Sequence, residues 1–103
     1  MEAEGFPLYE RTIDRSEVVT ALSESPDPSR CETYLLWRKQ QESMVINQGA
    51  NLDFILEDAA VCREAGLIEE AQDAYEAGRA QAYEMHLDAL VENLDRIIAE
   101  LSR

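Results

Sequence analysis

The residues of this chain best suited to chemistry are a single histidine, His86, and two cysteines. Metal sites in helical bundles use a glutamate three residues before a histidine, so that both side chains lie on one helix face. The acid nearest before His86 is Glu84, two residues away, which places the two side chains on different faces. We therefore expect no metal site.

Cys31 and Cys62 follow neither a zinc spacing nor a CxxC motif. A cysteine nucleophile needs a base beside it, and the lone histidine would have to lie next to one of these thiols. Both cysteines fall at predicted helix positions that face the interior. We interpret them as reduced packing residues, because a disulfide framework in a chain of this length usually has more cysteines.

Carboxylates are the most abundant reactive groups, with 22 Asp and Glu against nine Lys and Arg and a formal charge of −13. General acid catalysis requires a carboxyl group that is desolvated in a cleft, and solvated helix faces do not provide one. Glycine-rich phosphate loops follow strands, and the sequence predicts no strand. We therefore predict a protein that is not an enzyme, has no catalytic residues and needs no cofactor.

The negative charge excludes several classes of partner. It repels nucleic-acid phosphates and anionic lipids, and it attracts basic protein surfaces. The chain contains no apolar run of about 18 residues and no apolar N-terminal leader. The expected molecule is cytoplasmic, binds neither membranes nor nucleic acid directly, and has a protein partner with a basic surface.

The chain that must position these groups begins with an arm. Residues 1–12 contain Gly5 and Pro7 without a sustained period, and they are interpreted as an extended or mobile segment. Residues 13–103 form a single predicted helical domain, since a chain of this length supports one core.

The first predicted helix is short. Asp14 and Glu17 have the spacing of a capping box, and Ile13 before the cap is placed to pack on Val18. The helix ends before Pro26. In Asp27-Pro28, the acid is predicted to cap the next helix and proline to take its first position.

A long helix is predicted between Ser29 and Ala65, where no proline occurs. At about 100° per residue, the apolar residues keep one phase around Tyr34, and that phase continues through Gly49. A real break would normally reset the phase, so one continuous helix is the better interpretation.

Gly66 follows as a helix C-cap, and a second helical stretch runs from Leu67 to Arg103. The apolar faces of its two halves differ by about 150°, far more than the drift between a 3.5 and a 3.6 repeat. Either the helix breaks or kinks near residues 79–86, or its halves pack against different neighbours.

Two all-α architectures fit these elements. The favoured one is a long antiparallel helical hairpin with a short N-terminal helix, whose uncovered flank is covered in a homodimer with a four-helix core. The other is a compact monomer in which the chain bends near Gly49 and near residues 79–86 to form a four- or five-helix bundle. The straight hairpin would hold Cys31 and Cys62 about 46 Å apart.

The turn around Gly66 resembles one unit of the tetratricopeptide repeat family. The unit places a glycine in the turn, then an alanine, an aromatic residue and a small residue in the second helix. The matching positions are Gly66, Ala71, Tyr75 and Gly78, with Ile55 and Ala59 at the large and small positions of the first helix.

The resemblance is partial. Asp58 and Cys62 stand where the repeat has a leucine and a tyrosine, and no proline closes the unit. It covers about 30 residues and occurs once, whereas a peptide-binding groove of that family needs about three stacked units. The resemblance implies a tight helix-turn-helix near Gly66 and carries no binding activity with it.

Two surfaces of the second helical stretch are the predicted binding sites. The first consists of two rows of acids spaced three or four residues apart, at a cost to helix stability that a mixed-charge surface would avoid. The second is an apolar face for a dimer partner or a bound protein. The acidic rows are Glu69, Glu70, Asp73, Glu76, Glu84, Asp88, Glu92 and Asp95, and the apolar face is Leu87, Leu90, Val91, Leu94, Ile97, Ile98 and Leu101.

Two functions follow from these surfaces. The first is a small helical interaction protein, such as an adaptor, a chaperone-like protein or a regulatory subunit, that uses the apolar face. The alternative is an inhibitor whose carboxylate rows imitate nucleic-acid phosphates and block a DNA- or RNA-binding protein. Small acidic phage proteins of the anti-CRISPR or anti-restriction type look like this in size and charge.

Overall fold

The part of the chain that the structure describes is built from α-helices and contains no strand. The structure is a computed structural model and describes residues 12–102; apart from Thr12, the predicted arm lies outside the described residues. The all-α prediction is confirmed. The helices are α1 (Arg15–Glu24), α2 (Glu32–Ser43), α3 (Gln48–Glu64), α4 (Ile68–Glu84) and α5 (Asp88–Leu101).

The start of α1 is formed as predicted. Asp14 and Glu17 make the capping box, in which the backbone N–H of Asp14 donates to Glu17 Oε1 at 3.2 Å. Ile13 is 5% exposed and Val18 is fully buried. This is expected when the hydrophobic residue before the cap packs against one in the first turns of the helix. The local capping box therefore marks this helix start, and Gln40 of α2 adds a tertiary contact by accepting from the Ile13 N–H at 3.1 Å.

The predicted helix start at Asp27-Pro28 is wrong. The Asp27 carboxylate accepts from the backbone N–H and the hydroxyl of Ser29, at 3.1 and 2.6 Å, and its carbonyl accepts from Arg30 and Cys31. These bonds close a turn, and α2 begins only at Glu32. An aspartate before proline favours a turn as readily as a cap, because its side chain bonds the backbone two residues on.

The single helix expected from Ser29 to Ala65 is also wrong, because the chain breaks between α2 and α3. Asn47 caps α3, with its side chain accepting from the N–H of Ala50 at 2.9 Å. Asn is among the strongest N-cap residues, and Val45 and Ile46 before it are β-branched. Gly49 then lies inside the first turn of α3, where it interrupts nothing.

The break within the second stretch, one of two alternatives, is confirmed at residues 85–87. It is a turn of the same type as the one at Gly66. Leu67 N–H donates to the carbonyl of Cys62 at 2.9 Å, and Leu87 N–H donates to the carbonyl of Ala82 at 3.0 Å. In each turn one residue has a positive φ: 87° at Gly66 and 61° at His86. Both are Schellman caps, which end a helix and reverse the chain.

These turns lay out α3, α4 and α5 as consecutive antiparallel neighbours, with α4 packed between the other two. α1 and α2 pack on each other and on α3. At Gly78 the backbone of α4 approaches α3 so closely that an added Cβ would lie 2.8 Å from Leu56 Cδ2. The large or fully buried core residues are Val18, Leu22, Tyr34, Trp37, Leu52, Ala59, Val61, Cys62, Ala71, Tyr75, Ala82 and Leu94.

Candidate functional site

A groove of about 530 Å³ lies beside α5. Tyr75 of α4 is 6% exposed and forms part of its floor. Leu56 of α3 stands on one side and the half-buried Leu90 and Ile97 of α5 on the other. The groove is lined by Leu56, Tyr75, Leu90, Asn93, Leu94, Arg96, Ile97 and Glu100.

A glycine and an ion pair lie beside the groove. Gly78 lets Leu56 lie against α4, so this side chain reaches the groove from the neighbouring helix. Arg63 of α3 and Glu100 of α5 approach to 4.0 Å and join these two helices beside it. Such an apolar concavity with few polar groups is the usual form of a site that binds a ligand or a peptide segment.

The predicted apolar face of α5 divides into three environments. Val91 and Leu94 are 9% and 2% exposed, so the protein's own core already covers them. Leu90, Ile97, Ile98 and Leu101 are half-buried, and Leu87 in the turn is exposed. The structure thus brings these residues together along α5 and the turn before it, and leaves five of the seven accessible to a partner.

The predicted acidic rows are exposed throughout. Glu69, Glu70, Asp73 and Glu76 belong to α4, as expected. The second row is not one helix face, because the turn at residues 85–87 separates Glu84 at the end of α4 from the acids of α5. Within residues 12–102, Asp95 alone among the eight has an ion-pair partner, Arg79.

A buried polar cluster joins α2 to α3. Tyr34 donates its hydroxyl to Asp58 Oδ1 at 2.7 Å, and Arg38 Nη1 donates to the same hydroxyl at 3.3 Å. Asp58 is only 8% exposed. The tetratricopeptide repeat has a leucine at this position, and the hydrogen bond to Tyr34 explains why this chain has an aspartate there instead. Burial, followed by the hydrogen bond to Asp58 and its charge, raises the pKa of Tyr34 well above its usual value. The tyrosine therefore stays neutral and acts as a hydrogen-bond donor.

The neighbouring thiol is equally unreactive. Burial, with smaller contributions from Asp58 and Glu70, raises the pKa of Cys62 to about 12. Since the thiolate is the nucleophile, a protonated thiol that is 2% exposed has no catalytic use at neutral pH. Cys31 and Cys62 are both free and buried, in agreement with their interpretation as packing residues.

His86 and the acids form no metal site along the described chain, where no group of three or more ligands converges. None of the described helices combines the length and the apolar character needed to cross a bilayer. Comparison of the chain with protein-family models, with curated proteins and with solved structures found no match. Conclusions about its function therefore rest on the surfaces themselves.

Sequence reasoning missed several residues of these sites. The sequence does not indicate Leu56 or Tyr75 as binding residues, because their position in a groove depends on where α5 lies. Asp58 carried a signal, since it replaced a leucine within a matching repeat pattern. Arg96 carried none, because a single arginine in an acidic helix is compatible with any solvated face.

Proposed function

We propose that this protein is a non-enzymatic protein-interaction module that binds a segment of a partner protein in the groove beside α5. The observation that carries the proposal is the groove itself, about 530 Å³ in volume with an apolar floor. Leu56, Leu90 and Ile97 line it while half-buried, so each can lose further solvent contact when a segment binds. Apolar anchors in such a groove supply most of the affinity of helix and peptide recognition.

Affinity recovery from the natural host tests this proposal through matched variants. Leu90→Gln with Ile97→Gln removes the apolar lining, while Ile68→Gln changes a comparable exposed residue outside the groove. We expect a partner that is retained by the wild type and the Ile68 variant and lost by the double variant. Equal recovery by all three, with unchanged helix content, would exclude the groove as the site.

We also propose a homodimer, in a form that leaves the groove free. Met44, Ile46 and Tyr83 are 67%, 84% and 66% exposed, and they lie with Leu87 at the end of the molecule where α3 begins and α4 ends. No residue from Ser43 to Leu52 is charged, so this segment adds no repulsion between two acidic copies, and Glu84 and Asp88 are the acids beside Tyr83 and Leu87. Light scattering should give twice the monomer mass, and Ile46→Asp should restore the monomer mass.

The acidic rows support a second candidate function, inhibition of a nucleic-acid-binding protein by imitation of phosphate charge. The supporting observation is that seven of the eight carboxylates lack an ion-pair partner in the described part of the chain. Such binding is electrostatic and should disappear at about 0.5 M salt, where screening is nearly complete beyond a few ångströms. Binding that persists at this salt concentration favours the groove instead.

A further inference from the structure

The rim of the groove carries an arginine, Arg96, together with Glu100, on a surface that is otherwise mostly acidic. Arg96 and Asn93 line it from α5 and are exposed. In the described chain, Arg96 has neither a hydrogen bond nor an ion pair, although Glu92 and Glu100 lie one helical turn away on either side. Glu100 pairs instead with Arg63. The groove therefore presents a free guanidinium and a free carboxamide next to an apolar floor.

This lack of a partner is unusual for a cation in this protein. Between residues 12 and 102, five other arginines contact at least one carboxylate, and they are Arg15, Arg30, Arg38, Arg63 and Arg79. Lys39 is the remaining described cation without an ion pair, and it does not line the groove. With acids in large excess, an unpaired arginine at the edge of an apolar site is available to a partner's carboxylate.

We propose that the groove binds an apolar segment that carries a carboxylate, and that Arg96 and Asn93 bind this carboxylate. The proposal rests on the function proposed above and names the chemistry of the bound segment. A guanidinium binds a carboxylate through two parallel hydrogen bonds, and a carboxamide N–H₂ donates another. Leu90, Ile97 and Tyr75 receive the apolar side chains beside it. An acidic protein thus selects an acidic segment at one place on its surface, while basic residues of the same partner face the exposed acids outside the groove.

Selection of short random peptides displayed on phage tests this inference without knowledge of the partner. The baits are the wild type, Arg96→Glu, Lys39→Glu as the control with an identical charge change, and the Leu90→Gln, Ile97→Gln double variant. Peptides enriched on the wild type should combine apolar residues with Asp, Glu or a terminal carboxylate. Arg96→Glu should weaken binding of the synthesised peptides at least about tenfold, as loss of a charge-assisted pair implies, while Lys39→Glu should leave it unchanged.

The outcomes separate this inference from the proposed function. If peptides bind the wild type and the Arg96 variant equally but do not bind the double variant, the groove remains the binding site and the proposed role of the carboxylate is wrong. Enriched peptides that are basic overturn it as well. If the wild type and the double variant enrich the same sequences, the groove is not a binding site and the proposed function fails. Replacing the peptide's carboxylate by an amide gives an independent measurement, in which affinity should fall, but by less than with Arg96→Glu, because that variant also adds a repulsive charge.

Discussion

The two helical hairpins of this protein, α3–α4 and α4–α5, close with the same hydrogen bonds and differ in the residue that reverses the chain. Gly66 adopts a positive φ in the first turn and His86 in the second. Glycine enters this region freely, whereas a residue with a Cβ is destabilised there by about 1–2 kcal/mol. The first hairpin is therefore formed without strain, and the second depends on packing to hold its turn.

The helix–helix interfaces of the two hairpins also differ, in how closely the helices pack. At Gly78 the first hairpin has no side chain from α4, so Leu56 and Ile55 of α3 pack directly against the α4 backbone. The second hairpin packs through Val91 and Leu94 and leaves Leu90 and Ile97 half-buried at the groove. The close interface thus supports the fold, and the less complete one provides the apolar surface for binding. Four substitutions test this contrast.

Gly78→Val should have the largest effect. Its Cβ would lie 2.8 Å from Leu56 Cδ2 and 3.4 Å from Ile55 Cγ2, so α3 and α4 must separate or Leu56 must move toward the groove. Overpacking of this kind costs about 1–3 kcal/mol, which exceeds the gain in helix propensity. Urea denaturation measures the loss, with Ala80→Val on the exposed face of the same helix as the control. Equal effects of the two variants would mean that the close approach is unimportant.

Gly66→His should have the second-largest effect, because it places in the first turn the residue type that the second turn has. No atom lies within 4 Å of the added Cβ, so the cost arises from the backbone alone and should be about 1–2 kcal/mol. Gly66→Asn should cost less, since asparagine tolerates the left-handed region. Alkylation of Cys62, located by peptide mapping, should accelerate with the destabilisation because the buried thiol reacts only when this hairpin opens. Unchanged alkylation and denaturation midpoints would contradict the strain argument.

This contrast also explains how much the sequence could predict. The helical class, the α1 capping box and the turn at Gly66 follow from local signals, since Asp14, Glu17 and Gly66 act on backbone groups within a few residues. The turn at His86 has a much weaker local signal than the one at Gly66, because histidine adopts a positive φ far less readily than glycine does. Only the change in direction of the apolar face between the two halves of residues 67–103 indicated a turn there. The groove depends on the angle at which α5 leaves α4, which no local pattern specifies.

His86→Gly is the reciprocal change and should stabilise the protein. Relief of the left-handed strain outweighs the larger entropy of a glycine in the unfolded chain, and we expect a gain of about 0.5–1 kcal/mol in the free energy of unfolding. His86→Ala is the control, since it keeps a Cβ and should give no gain. If glycine proves neutral or destabilising, contacts of the imidazole hold the turn, and the two hairpins are more alike than their residues indicate.

Arg79→Gln should have the smallest effect, although Arg79 joins α4 to α5 through its ion pair with Asp95. Both side chains are about half exposed, so solvent and salt screen their attraction. We expect a small loss of stability in dilute buffer that vanishes at about 0.5 M salt. The double variant with Asp95→Asn should lose no more than either single variant, because the interaction disappears when one partner is removed. A salt-independent loss as large as that of Gly66→His would show that this ion pair, rather than Val91 and Leu94, holds α5 against α4. The groove would then change its width in the Arg79→Gln variant at any ionic strength, and peptide affinity measured on this variant would reveal it.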